Sequence, residues 1–430
     1  MGEGPGVRAL FAAALLLALS TFPALAQPRV LGAAGDISCD PADANYNGGN
    51  GTASACHMKA TSDLLVNGGY DTVLLLGDNQ YEDGSLTKYQ TSFGPTWGRV
   101  KGITRPVVGN HEYITPGASG YYSYFGTAAG DPLKGWYSFD LGGWHVIVLN
   151  SNCAEVGGCG AGSVQEQWLA ADLAAHPGVC TLAAWHHPRF SSGPHGDDAT
   201  YQTFWNDLYA AGADVVLVGH DHIYERFAPQ TPAGVADPVR GLREFVVGTG
   251  GKNLTGVSIL RANSEVRDAS TFGILELTLY PNGYAWRFVP EAGKTFTDSG
   301  LGLCHSAFPT AAASFYTLQP CRAYDSRQST ALSSGVARTL PLSGGCGVPL
   351  DAVAVAANVT MINPTSSGLF QLYPAGSPIP GTSTINVSAG RTRANNAVLA
   401  LGAGGQVTAR PVLSAPGTVH LVVDVTGYFR

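Results

Sequence analysis

Five short strings carry the chemistry of this sequence: Gly35-Asp36, Gly77-Asp78-Asn79-Gln80-Tyr81, Gly109-Asn110-His111-Glu112, His186-His187-Pro188 and Gly219-His220-Asp221-His222. Carboxylate, amide and phenol oxygens mixed with imidazole nitrogens suit iron, manganese or zinc, and the strings hold none of the thiolates of a closed structural zinc site. The set reads as a catalytic metal site. A glycine precedes Asp36, Asp78, Asn110 and His220, where it lets the backbone turn so that the next side chain points off a strand end. Singly, each string is weak: a lone Asp or Asn is an ordinary cap or turn residue.

Such groups are far apart in the chain, so a fold must gather them. From residue 29 to about 289, apolar runs alternate with helical patterns, as in sheets covered by helices. The runs predict strands over 29–34, 72–76, 144–150, 181–185, 215–218 and 245–247. Helices are predicted over 164–176, with Trp168, Leu169 and Leu173 on one side and Ser163 as cap, and over 200–211. A hairpin, 272–280 and 284–289, turns at Pro281-Asn282-Gly283. The strings lie just beyond the strands, and ligands bind in the crevice beyond the carboxyl ends of such strands.

The 430 residues are 45% hydrophobic and 13% charged, with a formal net charge of -7, which leaves no basic stripe for a nucleic-acid backbone. Residues 1–26 read as a secretory signal peptide: Arg8, an apolar run over 9–19, Pro23, and Ala24-Leu25-Ala26 as the cleavage site. The run is shorter than the roughly 20 residues that span a bilayer. Export to the cell surface, periplasm or medium is therefore expected. Eight cysteines fit that oxidising destination. The expected pairs are Cys39 with Cys56, Cys153 with Cys159 and Cys321 with Cys346, leaving Cys180 and Cys304 to pair by default. Residues 27–299 are assigned to a catalytic domain, 300–313 to a linker and 314–430 to an all-β domain. That tail is poor in charge, with β-type runs over 352–359, 370–373 and 419–425 that suit a small sandwich or barrel.

In combination and order, the five strings resemble the signature blocks of the calcineurin-like metallophosphoesterases. Gly-Asp-Asn-x-Tyr followed by Gly-Asn-His-Glu is similar to the purple acid phosphatases, over residues 29–289. The resemblance implies an α/β fold, a four-layer αββα sandwich. It implies Asp36, Asp78, Tyr81 and His222 on a first metal ion and Asp78, Asn110, His186 and His220 on a second, with Asp78 bridging. Fe(III) with Fe, Zn or Mn(II) is the expected pair, and attack by a metal-bound hydroxide on a phosphate monoester the expected reaction. His111 would act as a charged donor or general acid at the phosphate, and His195, nine residues beyond His186, would share that role.

His187 competes with His186 as a ligand, and the family's placement two residues before proline selects His186. Glu112, Tyr224 and Arg226 continue family-like strings, and each is as open to a structural role or support of the ligands as to contact with substrate. His57, His145, His176 and His305 lack such neighbours and read as non-catalytic. The string from Val422 to Phe429, with Asn358-Val359-Thr360, resembles an accessory β module of exported bacterial proteins. That resemblance carries no activity with it, and the tail is expected to be a stabilising or spacing module or to attach to a surface through glycans or envelope polymers. Phosphodiester or nucleotide hydrolysis is the alternative reaction on a phosphorylated small molecule. A catalytically silent surface-binding protein is the alternative of another class, against which the intact ligand set stands.

Overall fold

The computed structural model describes residues 27–305 and 313–430, apart from residue 378. The expected signal peptide lies outside the described residues. The apolar runs Arg29–Ala34, Thr72–Leu76 and Thr104–Val107 form a parallel trio, with Leu31 opposite Thr72 and Val73 opposite Thr104. The antiparallel hairpin Gly273–Tyr280 and Gly283–Pro290 pairs beside Arg29–Ala34 and completes, with Ser299–Leu303, a six-stranded mixed sheet. A second, seven-stranded sheet has four parallel strands at its centre: Trp144–Val148, Cys180–Ala184, Val215–Val218 and Arg243–Val247.

Side-chain alternation along these strands builds the layers. Val146, Val148, Leu182, Ala184, Val215 and Leu217 join the core shared with the first sheet. Their neighbours Ile147, Leu149, Ala183, Val216 and Val218 pack against Leu169, Leu173, Phe204, Trp205 and Leu208 of two outer helices. Those helices are Val164–Ala175, whose Ser163 Oγ accepts the Glu166 amide at 3.2 Å, and Gln202–Ala211, which ends at Gly212 in the left-handed region. On the far side the helix Met58–Gly68 sits so close that a Cβ on Gly32 would lie 2.7 Å from Leu65 Cδ2. The result is the expected helix–sheet–sheet–helix stack.

The expected linker at 300–313 needs correction. Ser299–Leu303 is a strand paired with Gly283–Pro290, and Cys304 is bonded to Cys180, so the first domain runs through Cys304. The glycines of this strand serve packing: a Cβ on Gly300 or Gly302 would lie 2.3 Å from the rings of Trp286 or Tyr284. All eight cysteines pair as expected.

The tail is a sandwich of two antiparallel sheets. One holds Phe315–Asp325, Thr418–Phe429, Ala354–Ile362 and Arg393–Ala400, with Leu332–Ser333 on Thr418–Phe429. The other holds Arg338–Pro341, Gln406–Leu413, Gly368–Pro374 and Ile385–Val387. Val355, Ala357, Val359 and Met361 alternate inward from one face to meet Phe370 and Leu372 from the other.

Candidate metal centre

Asp36, Asp78 and Asn110 follow the carboxyl ends of the parallel trio, and His186, His220 and His222 follow two central strands of the second sheet. The facing sheets bring them together in two groups that share Asp78. In the first, Tyr81 Oη lies 2.8 Å from Asp36 Oδ1, 3.1 Å from Asp78 Oδ2 and 3.1 Å from His222 Nε2. In the second, His186 Nε2 lies 3.1 Å from Asn110 Oδ1, 3.2 Å from Asp78 Oδ2 and 3.2 Å from His220 Nδ1. Ligand atoms about 2.1 Å from one cation and at right angles sit about 3 Å apart. The donor spacing, with two imidazole nitrogens facing each other, therefore fits one cation in each group. The groups are the pair of ligand sets that the resemblance implies.

The backbone carries the cost of this convergence. Asp36, Asp78 and His220 themselves adopt φ of 59°, 47° and 68°, a left-handed conformation that side-chain-bearing residues rarely take. Hydrogen bonds hold them there: the Asp36 amide donates to Gly77 O at 3.0 Å, the His220 amide to Asp36 Oδ2 at 2.8 Å, and the His111 amide to Asp78 Oδ1 at 2.9 Å. The preceding glycines mostly provide space, since a Cβ on Gly109 would lie 2.2 Å from Asp78 Oδ1. Gly77 does both, with φ of 87° and a Cβ position 2.4 Å from His186 Nδ1.

Carbonyl partners orient two of the imidazoles. His186 Nδ1 meets Leu76 O at 2.8 Å and His222 Nδ1 meets Asn253 O at 3.0 Å. Each contact leaves the Nε2 atom facing its donor group. Burial alone would raise the Asp78 carboxyl, but His186 and His111 beside it hold it below the usual carboxylate range. Burial would lower His186, and Asp78 reverses this to raise it to about 9. Burial and then the charges of Asp36 and Asp78 push the Tyr81 phenol well above its ordinary value. A bound cation would displace that proton.

Two histidines stand at the mouth. His111 Nδ1 lies 2.6 Å from Glu82 O, its Nε2 is 3.9 Å from Asp78 Oδ2, and its ring lies 4.3 Å from that of Tyr81. His195 comes back to the same crevice, its ring centroid 4.0 Å from that of His220. A residue without an assigned role in the sequence reading, Asp221, positions it. Its buried carboxylate accepts the His195 amide at 3.1 Å and faces His195 Nδ1 at 2.7 Å, and it also accepts the Ser191 hydroxyl. That contact, against the opposing effect of burial, raises the His195 imidazole.

Glu112 ties the ligand loops together, accepting the amides of Asn79, Gln80 and Gly109 and the Tyr89 hydroxyl at 2.8 to 3.2 Å. Burial, then the Asp78 charge, pushes its carboxyl up to about 7. His187 lies beside the second group, with Nδ1 at 2.8 Å from Ser151 Oγ, and burial and the neighbouring His186 push it down to about 3. Tyr224 and Arg226 do not support the site. Their strand leads away from the crevice, and both side chains bind Asp298, at 2.8 and 2.7 Å. His57, His145 and His305 pair with Glu291, Asp172 and Asp214, and His176 stacks on His145.

Residues 55–224 match the family model of the calcineurin-like phosphoesterases. That span contains every ligand position except Asp36. The chain is 29% identical over 199 residues to purple acid phosphatase 15 of Arabidopsis thaliana, covering 38% of this chain and 37% of that protein. It is 31% identical over 192 residues to acid phosphatase type 7 of Homo sapiens, covering 38% and 42%. The matched part thus spans about two fifths of these relatives' length. The purple acid phosphatase of yellow lupin (Lupinus luteus) seeds superposes with a TM-score of 0.51 at 20% identity, over 64% of this chain and 55% of that one, which shows the shared fold. Residues 55–224 thus match the calcineurin-like phosphoesterase family model, and over that part the chain is similar to purple acid phosphatases.

Proposed function

We propose that this protein is an exported phosphatase that hydrolyses phosphate monoesters of small molecules. The observation that carries the reading is the pair of donor groups sharing Asp78, with His111 and His195 converging on their open side. Asp36, Asp78, Tyr81 and His222 would hold one cation, and Asp78, Asn110, His186 and His220 the other. A tyrosine among the ligands favours Fe(III) at the first position with Fe, Zn or Mn(II) at the second. Such a pair of cations supplies polarisation of the phosphoryl oxygen and a nucleophilic water at moderate pH.

The remaining work falls to the chain. Glu112 fixes the two loops that carry Asp78 and Asn110. Asp221 holds His195 by Nδ1, so that Nε2 can donate to a phosphate oxygen or to the leaving oxygen, and His111 can serve the same group from the opposite side. Four disulfides support an oxidising destination and therefore export.

The test is hydrolysis of a chromogenic phosphate monoester and the matching diester by metal-loaded protein from acid to alkaline pH. Monoester turnover is expected, falling roughly 10³-fold in Asp78→Asn with a loss of bound metal by elemental analysis. A diester preference would replace this reading with phosphodiester hydrolysis, and no turnover of either would end it.

A further inference from the structure

A groove of about 380 Å³ has Asn110 and His187, beside the second donor group, among its lining residues. Its position makes it the natural continuation of the crevice for the part of an ester beyond the phosphorus. Its lining includes Tyr113 and Ile114, the residues that follow the Gly109-Asn110-His111-Glu112 string, and the disulfide loop that contains Cys153 and Glu155.

The groove's chemistry is mostly neutral. The Tyr113 hydroxyl is engaged by Asn150 Nδ2 at 2.8 Å, and the Tyr201 hydroxyl donates to Ser151 O at 3.1 Å. The two rings therefore offer surface rather than new polar partners. Ile114 is 59% exposed at the rim, an aliphatic side chain held in water next to the crevice. Apart from the His187 imidazole, Glu155 is the one ionisable acid or base with a full charge among the described residues that line the groove, and it is negative. Neither lysine nor arginine is among them. A second phosphate or carboxylate on the substrate would meet a like charge there, without a cation to receive it.

We propose that this groove receives the alcohol portion of the ester, and that it selects phosphate esters of uncharged aryl or similarly apolar alcohols over those carrying a further anionic group. The inference rests on the phosphoesterase reading for its substrate. It rests on the groove alone for its selectivity. Apolar contact with Ile114 and Tyr113 draws the organic part in, and Glu155, among the lining residues, disfavours anions there.

Two measurements on the metal-loaded full chain test it. The first compares kcat/KM for phenyl phosphate and 4-carboxyphenyl phosphate. The second compares calorimetric Kd values for phenylphosphonate and 4-carboxyphenylphosphonate, which cannot be hydrolysed. The neutral member of each pair should be favoured roughly tenfold, Glu155→Lys should bring the pair to parity or reverse it, and Ile114→Ser should weaken the phenyl member mainly through KM. Melting curves confirm that the variants fold. Equal preference in the wild type, or a preference that neither variant moves, overturns the proposal. Phosphonate binding in the expected ratio without any turnover would overturn the phosphoesterase reading and uphold the groove, whereas no binding of either phosphonate would end both.

Discussion

The metal crevice and the C-terminal sandwich bury different things. Around the crevice, Asp36, Asp78, Glu112, His186 and Asp221 are all buried, and Asp36, Asp78 and His220 hold left-handed backbone. In the sandwich the buried set is almost wholly aliphatic, with Val355, Val359, Phe370, Leu421 and Val423 in its core. Its buried polar side chains reduce to Ser326, Gln371 and Thr408 among the described residues. Burying charge and strained backbone costs stability and persists only where surrounding contacts over-determine it. The first domain spends folding energy on positioning ligands, while the second follows strand alternation and little else.

If that division is sound, damage to the sandwich should leave the crevice working. Replacing Cys321 and Cys346 with serine opens a link of sequence separation 25. It should lower the stability of the sandwich by about 3 kcal/mol, seen as an earlier melting transition, with phosphatase turnover unchanged. Loss of turnover in parallel would mean that the two regions are coupled.

Within the crevice the comparison can be sharpened at Asp221, which touches no ester in the proposed mechanism. Asp221→Asn should cost about 10- to 100-fold in kcat because His195 loses the negative charge that supports its protonated imidazole, while far-ultraviolet circular dichroism stays the same. Asp221→Glu should recover part of it. A drop confined to KM would place His195 in substrate binding only.

The smallest effect belongs to a charged cluster at the opposite end of the second sheet. His145 lies between Asp172, at 2.7 Å, and Asp140, at 3.1 Å. Burial would lower its imidazole, but the two carboxylates raise it above 6.5. Its contribution to stability is therefore complete below pH 6.5 and disappears as pH rises through the raised native value. Burial would raise Asp172, but His145 and Ser138 hold it below 3.8, so its share is present above that pH and lost on acidification. Asp140 is largely exposed and adds little. His145→Gln should lower the melting temperature by about 2 °C at pH 5 and by less at pH 9. An equal loss at both would assign the effect to packing instead.

Most of the fold was legible because apolar runs buried on both faces are unbroken in sequence. Strands at Arg29–Ala34, Thr72–Leu76 and Val215–Val218 occur where the runs predict them. Residues 300–303, assigned to the linker, belong to the strand Ser299–Leu303, whose place depends on the packing of Trp286 and Tyr284 against Gly300 and Gly302. For Tyr224 and Arg226 the sequence left a structural role and substrate contact both open, because adjacency to His222 does not say whether a strand stays near the site. Asp221 lay within a quoted string, but its partner is 26 residues away, and no local pattern links the two.

The sequence by itself determined which donor atoms are available, in what order, and at which strand ends, because side-chain identity sets donor chemistry and an apolar run sets where a strand stops. Tertiary structure decided the rest. The carbonyls of Leu76 and Asn253 choose which nitrogen of His186 and His222 faces inward. Asp221 chooses where His195 points, and the approach of the Cys153–Cys159 loop to Tyr113 and Ile114 shapes the groove. Those outcomes depend on contacts between segments distant in the chain, and only the packing of two sheets against each other brings such segments within hydrogen-bonding reach.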